Sequence, residues 1–130
     1  MSTDLAGRCD SIEEAYEFML AYAAQGLPGE GGAGAGSGIR AYLTRFDTAL
    51  TGLAEMFRGA AVGREPTDKY EAFMRVLERD ARDAQAAIQL ALAQPSIGSQ
   101  LVDNLNASIH VRALLTDLFL IDEILKTQAL

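Results

Sequence analysis

Apolar residues recur at helical spacing along most of this chain. Ile12, Tyr16, Met19 and Ala23 form the first such stripe, one face of an amphipathic helix. Ser11 and Glu14 are spaced as a capping box ahead of it, and Glu13, Glu14 and Glu17 lie near the positive end of the helix dipole. Gly26-Leu27-Pro28 reads as a stop, a glycine free to turn left-handed before a residue that cannot continue a helix. The predicted first helix is short, residues 11–25, behind a flexible N-terminus of residues 1–10.

Residues 26–38 hold seven of the twelve glycines and few side chains to offset the entropy of ordering, so they are predicted to be a linker. Gly29-x-Gly31-x-x-Gly34 matches the dinucleotide fingerprint in letter. That fingerprint follows a strand and opens a helix, whereas a helix precedes it here and the phosphate-binding lysine of a P-loop is missing. The linker reading stands.

The second helix is predicted over 39–62. Ile39, Leu43, Phe46, Leu50, Leu53 and Phe57 step by 4, 3, 4, 3, 4, an unbroken heptad seam. Gly52 and Gly59 share a flank with Ala49 and Met56. They suggest close approach of a neighbouring helix there, with a frayed helix end as the duller explanation of Gly59. Gly63 and Pro66 bracket a turn, and the third helix, 67–94, keeps the rhythm through Tyr70, Met74, Leu77, Ala81, Ala84, Ile88 and Ala91. Its other face pairs Glu71 with Arg75, Glu78 with Arg82 and Arg79 with Asp83 at i,i+4. Pro95 ends it, and Ser96 or Ser99 is placed to cap a fourth helix over 97–127. No sustained period-2 alternation and no hairpin dipeptide occurs. The predicted fold is a single all-α domain, residues 1–130: a four-helix bundle with a short helix 1, a Gly-rich linker and an antiparallel run of three long helices. The tyrosines and methionines read as core.

The fourth helix departs from the pattern. Leu101, Val102, Leu105 and Ile109 cluster on one side, while Val111, Leu114, Leu115, Leu118, Ile121 and Leu125 cluster roughly on the other, so the stripe changes face near His110. Beyond it Phe119, Leu120 and Ile124 widen the apolar band, and a helix apolar on most sides needs partners on most sides. Leu115, Phe119, Leu120 and Ile124 are therefore expected to form an oligomer interface, in a two-fold dimer as the commonest assembly. Asp122, inside the arc, is expected to pair with Arg112 or Lys126 of the second chain.

Charge and composition narrow the function. The net charge of −7, from 18 acidic and 11 basic residues, argues against nucleic-acid binding, which needs a basic face. Residues 1–30 carry six acids and one arginine, and residues 31–64 four arginines and two acids. The first two helices lying together would partly neutralise both, the alternative being a basic partner for the acidic face. No segment reads as a membrane span or a secretion signal, and the lone Cys9 cannot close an internal disulfide, so a cytoplasmic location is expected. The composition, rich in Arg, Ala and Gly and poor in Lys, suggests a GC-rich bacterial source.

Candidate chemistry is thin. His110 is the single histidine, and position 107 is Ala, so the Glu-x-x-His pairs of a bundle di-iron centre are absent. With Asp103, Asn106 and Asp117 it reads as a polar stripe rather than a ligand set, leaving open haem or zinc between two His110 residues across an oligomer axis. Cys9 precedes the predicted helix N-terminus, but Asp10 opposes thiolate formation and no histidine base is near in sequence. No catalytic residue, metal ligand or cofactor is assigned. The expected function is that of a non-enzymatic accessory, assembly or adaptor protein acting through protein contacts as a homo-oligomer. The alternative is a module holding an apolar ligand, haem or metal at its core or interface.

Overall fold

A computed structural model describes residues 2–30 and 35–128, with side chains for 4–30 and 38–128. Among these the chain is all-helical: α1 Ser2–Ala24, α2 Ala35–Leu50, α3 Leu53–Ala60, α4 Thr67–Leu92, α5 Ser99–Ala107 and α6 Ile109–Thr127. The all-α class is as expected, but there are six described helices where four were predicted. No described helix is long and apolar enough to cross a membrane.

The first helix is not short. It starts at Ser2, because Leu5 and Cys9 continue the stripe of Ile12 by steps of a helix turn and pack against the core. Arg8 also donates to the carbonyls of Ala49 and Thr51, where α2 ends and its last C=O groups lack helical partners. Residues 2–10 are therefore helical rather than flexible, and Ser11 lies inside the helix rather than at a capping box. α1 packs along α2, where the rings of Phe18 and Tyr42 stack with centroids 4.1 Å apart.

The heptad seam of the second predicted helix is buried throughout, from Ile39 to Phe57. The helix itself breaks at Gly52, whose φ of 71° is left-handed and favours glycine. A Cβ added at Gly52 or Gly59 would meet nothing within 4 Å, so no neighbouring helix packs closely on either glycine. Gly59 lies in the last turn of α3. Arg58 pins α3 onto α4: its Nε and Nη2 donate to the two carboxylate oxygens of Glu71, each at 3.1 Å, and Nη2 also reaches Glu78 at 3.3 Å. On α4, Glu71–Arg75 and Glu78–Arg82 form as expected, at 3.7 and 2.9 Å.

The last predicted helix also divides, at Ser108, whose extended backbone (φ −63°, ψ 144°) interrupts it. The Ser108 hydroxyl accepts the Val111 N–H at 3.3 Å and so caps α6. The change of apolar face near His110 is thus a change of helix. α5 packs chiefly along α1, and α6 along α4.

Polar contacts tie the end of α1 to the turn between α4 and α5. The Tyr22 hydroxyl donates to the Ile97 carbonyl at 2.6 Å. The Ser99 hydroxyl donates to the Tyr22 carbonyl (2.6 Å) and accepts the Leu27 N–H (2.8 Å), while the Ser99 N–H donates to the Leu27 carbonyl (2.8 Å). Ser99 is thus not the expected helix cap, and Gly98 precedes α5 instead. The Glu30 carboxylate accepts the Ile97 N–H (2.9 Å) and Arg40 Nε (2.8 Å), and Arg40 donates onward to the carbonyls of Leu92 and Gln94. A Cβ at Gly98 would sit 2.7 Å from the Pro28 carbonyl oxygen, so the two segments meet backbone to backbone. Residues 26–30 are anchored by this knot rather than acting as free linker. Residues 31–34, with most of the fingerprint glycines, lie outside the described residues, and α2 begins at Ala35, before the predicted start at 39.

Candidate interaction surface

α6 carries the surface that sequence singled out, in altered form. Its inward side presents Val111, Leu114, Leu115, Leu118 and Ile121, all buried. Leu115 is only 5% exposed, so the chain's own core already covers this member of the expected interface. Ile124 is half-buried. Phe119 and Leu120 are the two that stand out, 55% and 50% exposed, and Ile109 on the first turn is 73% exposed. Asp122 pairs within its own helix with Lys126 at 2.8 Å, since i,i+4 spacing brings them together without a second chain. Arg112 and Glu123 are exposed, and among the described residues neither side chain has an ion-pair or hydrogen-bond partner.

A second apolar feature lies where α4 meets α5. Ala87, Leu90, Ala91, Leu101 and Leu105 line an open groove of about 620 Å³ with Asn104 at its edge, and Leu90 on its rim is 66% exposed. The acids of α1 form a third: Asp10, Glu13, Glu14 and Glu17 are all exposed, although α1 packs against α2 as expected.

The titratable groups do not assemble into a catalytic set. His110 and Asp103 are exposed, Asn106 and Asp117 are buried, and the break at Ser108 puts Asp103 and Asn106 on a different helix from the other two. Among the described residues no group of three or more His, Cys, Asp or Glu is placed to hold a metal ion. Asp117, 8% exposed and with no partner for Oδ2, faces Asp80 of α4. Burial first, then the hydrogen bond and charge of Asp80, push its carboxyl up to about 7. The sequence carried a signal for this pair: Asp117 lies between Leu114 and Ile121 at core spacing, a charge where an apolar residue was due. Asn106 is 6% exposed with neither side-chain polar atom partnered. Cys9 is half-buried, and burial first, then the charges of Asp122, Glu13 and Asp10, push its thiol up to about 11. Such a thiol is not a nucleophile poised for neutral pH.

No protein-family model matches the chain, and searches of curated proteins and of solved structures find no match.

Proposed function

We propose that the protein is a non-enzymatic accessory, assembly or adaptor protein that works as a homo-oligomer, in the first instance a dimer, through the outer face of α6. The observation that carries this reading is the adjacent pair Phe119 and Leu120, each about half exposed, on a helix whose remaining large side chains largely serve the core. Large apolar side chains grouped on a surface mark an interaction site more often than an ordinary surface. Ile109 joins the interface set, and Leu115 leaves it. The lone, half-buried Cys9 fits a reducing compartment such as the cytoplasm.

Light scattering behind a sizing column tests the reading. The parent is expected at twice its 13.9 kDa chain mass, and a Phe119→Glu, Leu120→Glu variant at 13.9 kDa with unchanged helical circular dichroism. A parent that stays at 13.9 kDa up to roughly 100 µM overturns it. The α4–α5 groove favours a second reading, a module for a small apolar ligand. It requires saturable binding of an anilinonaphthalene dye, lost in Leu101→Glu.

A further inference from the structure

The exposed positions Ile109, Arg112, Thr116, Phe119, Leu120 and Glu123 of α6 fall within a single arc. At about 100° per residue that arc is about 100° wide, the width of one helix-packing face. The order of groups along it matters. Arg112 and Glu123, both without partners in the described residues, stand at equal distances on either side of the point midway between positions 117 and 118. At about 1.5 Å per residue each is about 8 Å from that point. The Asp122–Lys126 pair lies to one side of the arc and neutralises itself.

Two copies of α6 laid antiparallel on a two-fold axis through that midpoint bring each Arg112 opposite the other chain's Glu123. The same axis sets Phe119 opposite Thr116 and keeps Phe119 and Leu120 within about 4 Å of the midpoint along the helix, with Ile109 about 13 Å out. A parallel arrangement does the reverse, placing Arg112 on Arg112 and Glu123 on Glu123. At a net charge of −7 per chain, unselective contact between copies is repulsive, so a face that matches opposite charges is the favoured place to meet. An isologous contact also repeats every favourable pair.

We infer that this face is occupied by a second copy of the same chain, docked with α6 antiparallel to its counterpart and joined by two Arg112–Glu123 ion pairs around a Phe119 and Leu120 centre. This rests on the self-association reading above and adds its register.

Sedimentation equilibrium in about 0.15 M salt tests it on the full chain, with the parent, Arg112→Glu, Glu123→Arg and the double exchange. Each single reversal creates two like-charge contacts per dimer and is expected to weaken association by about tenfold or more. The double exchange restores the pairs with signs swapped and is expected to return the dissociation constant to within about threefold of the parent. Both positions of change are exposed, and helical circular dichroism checks that each variant is folded. A parent dimer indifferent to the single reversals, or a double exchange no tighter than the singles, overturns the register and leaves self-association standing. A parent monomeric to roughly 100 µM overturns both.

Discussion

Replacing Asp117 by asparagine is expected to stabilise the protein at pH 8 and to change it little below pH 4. The carboxyl is nearly covered, its Oδ2 has no partner, and Asp80 presents a second carboxylate to it. Raised from 3.8 to about 7, it binds its proton more tightly in the folded chain than in the unfolded one. Stability from this group is therefore complete below about pH 4, falls as pH rises towards 7, and is level above. At about 1.4 kcal/mol per factor of ten in proton affinity, the loss is at most about 4.5 kcal/mol, and solvent screening of a group close to the surface brings it to roughly 2–4 kcal/mol. Asparagine keeps the shape, carries no charge, and can donate to Asp80 as the protonated acid does. For 130 residues, at about 2.1 cal/mol/K each, that energy is about 7–15 °C in melting temperature. The assay is thermal unfolding of parent and variant at pH 4, 6 and 8, at one protein concentration, because assembly also moves the midpoint. Other acids contribute to the pH dependence of both proteins, and the difference between the two isolates one carboxyl. A gain that is the same at pH 4 as at pH 8, or absent at both, refutes the reasoning.

Tyr22→Phe leaves the buried Ile97 carbonyl without its donor and is expected to lower stability by about 1–2 kcal/mol in urea titrations. The two glycines at the ends of α3, Gly52 just before it and Gly59 in its last turn, should respond in opposite directions: Gly59→Ala, helical and unobstructed, gains about 0.5–1 kcal/mol, whereas Gly52→Ala loses about 1–2 kcal/mol to its left-handed backbone. Cys9, with its thiol raised to about 11, should react with a disulfide reagent at pH 8 far more slowly than free cysteine, and unfolding in guanidinium should abolish the difference.

The helical class was legible because the apolar period is a local property, and every position of the Ile39–Phe57 seam is buried as the pattern required. The breaks were harder to see. Gly52 can be tolerated in a helix or can end one, and the seam keeps phase across it, so periodicity alone did not separate α2 from α3. At Ser108 the signal is a stripe that changes face, a pattern that one helix with two apolar faces and two separate helices produce alike. α1 was cut short because a capping box is a strong local cue, while Leu5, Arg8 and Cys9 draw their value from the core and from the end of α2. Of the surface, Phe119 and Leu120 were visible as surplus apolar residues. Leu115 was not separable from them without knowing how α6 turns against α4. The Tyr22–Ser99 and Glu30–Arg40 contacts join backbone groups far apart in sequence, and no spacing rule announces them.

That knot has a consequence for how the chain can be completed as it is made. The Leu27–Ser99 contact spans 72 residues, and at about 5–20 residues per second a ribosome needs roughly 4–14 s to deliver the second partner after the first. For that interval the last turn of α1 has no counterpart for its Tyr22 hydroxyl, and the apolar side that α5 later covers is bare. Closure of α1 thus waits on residues made long after its own. A chain stalled at residue 96 leaves exposed the side of α1 that α5 covers in the complete fold.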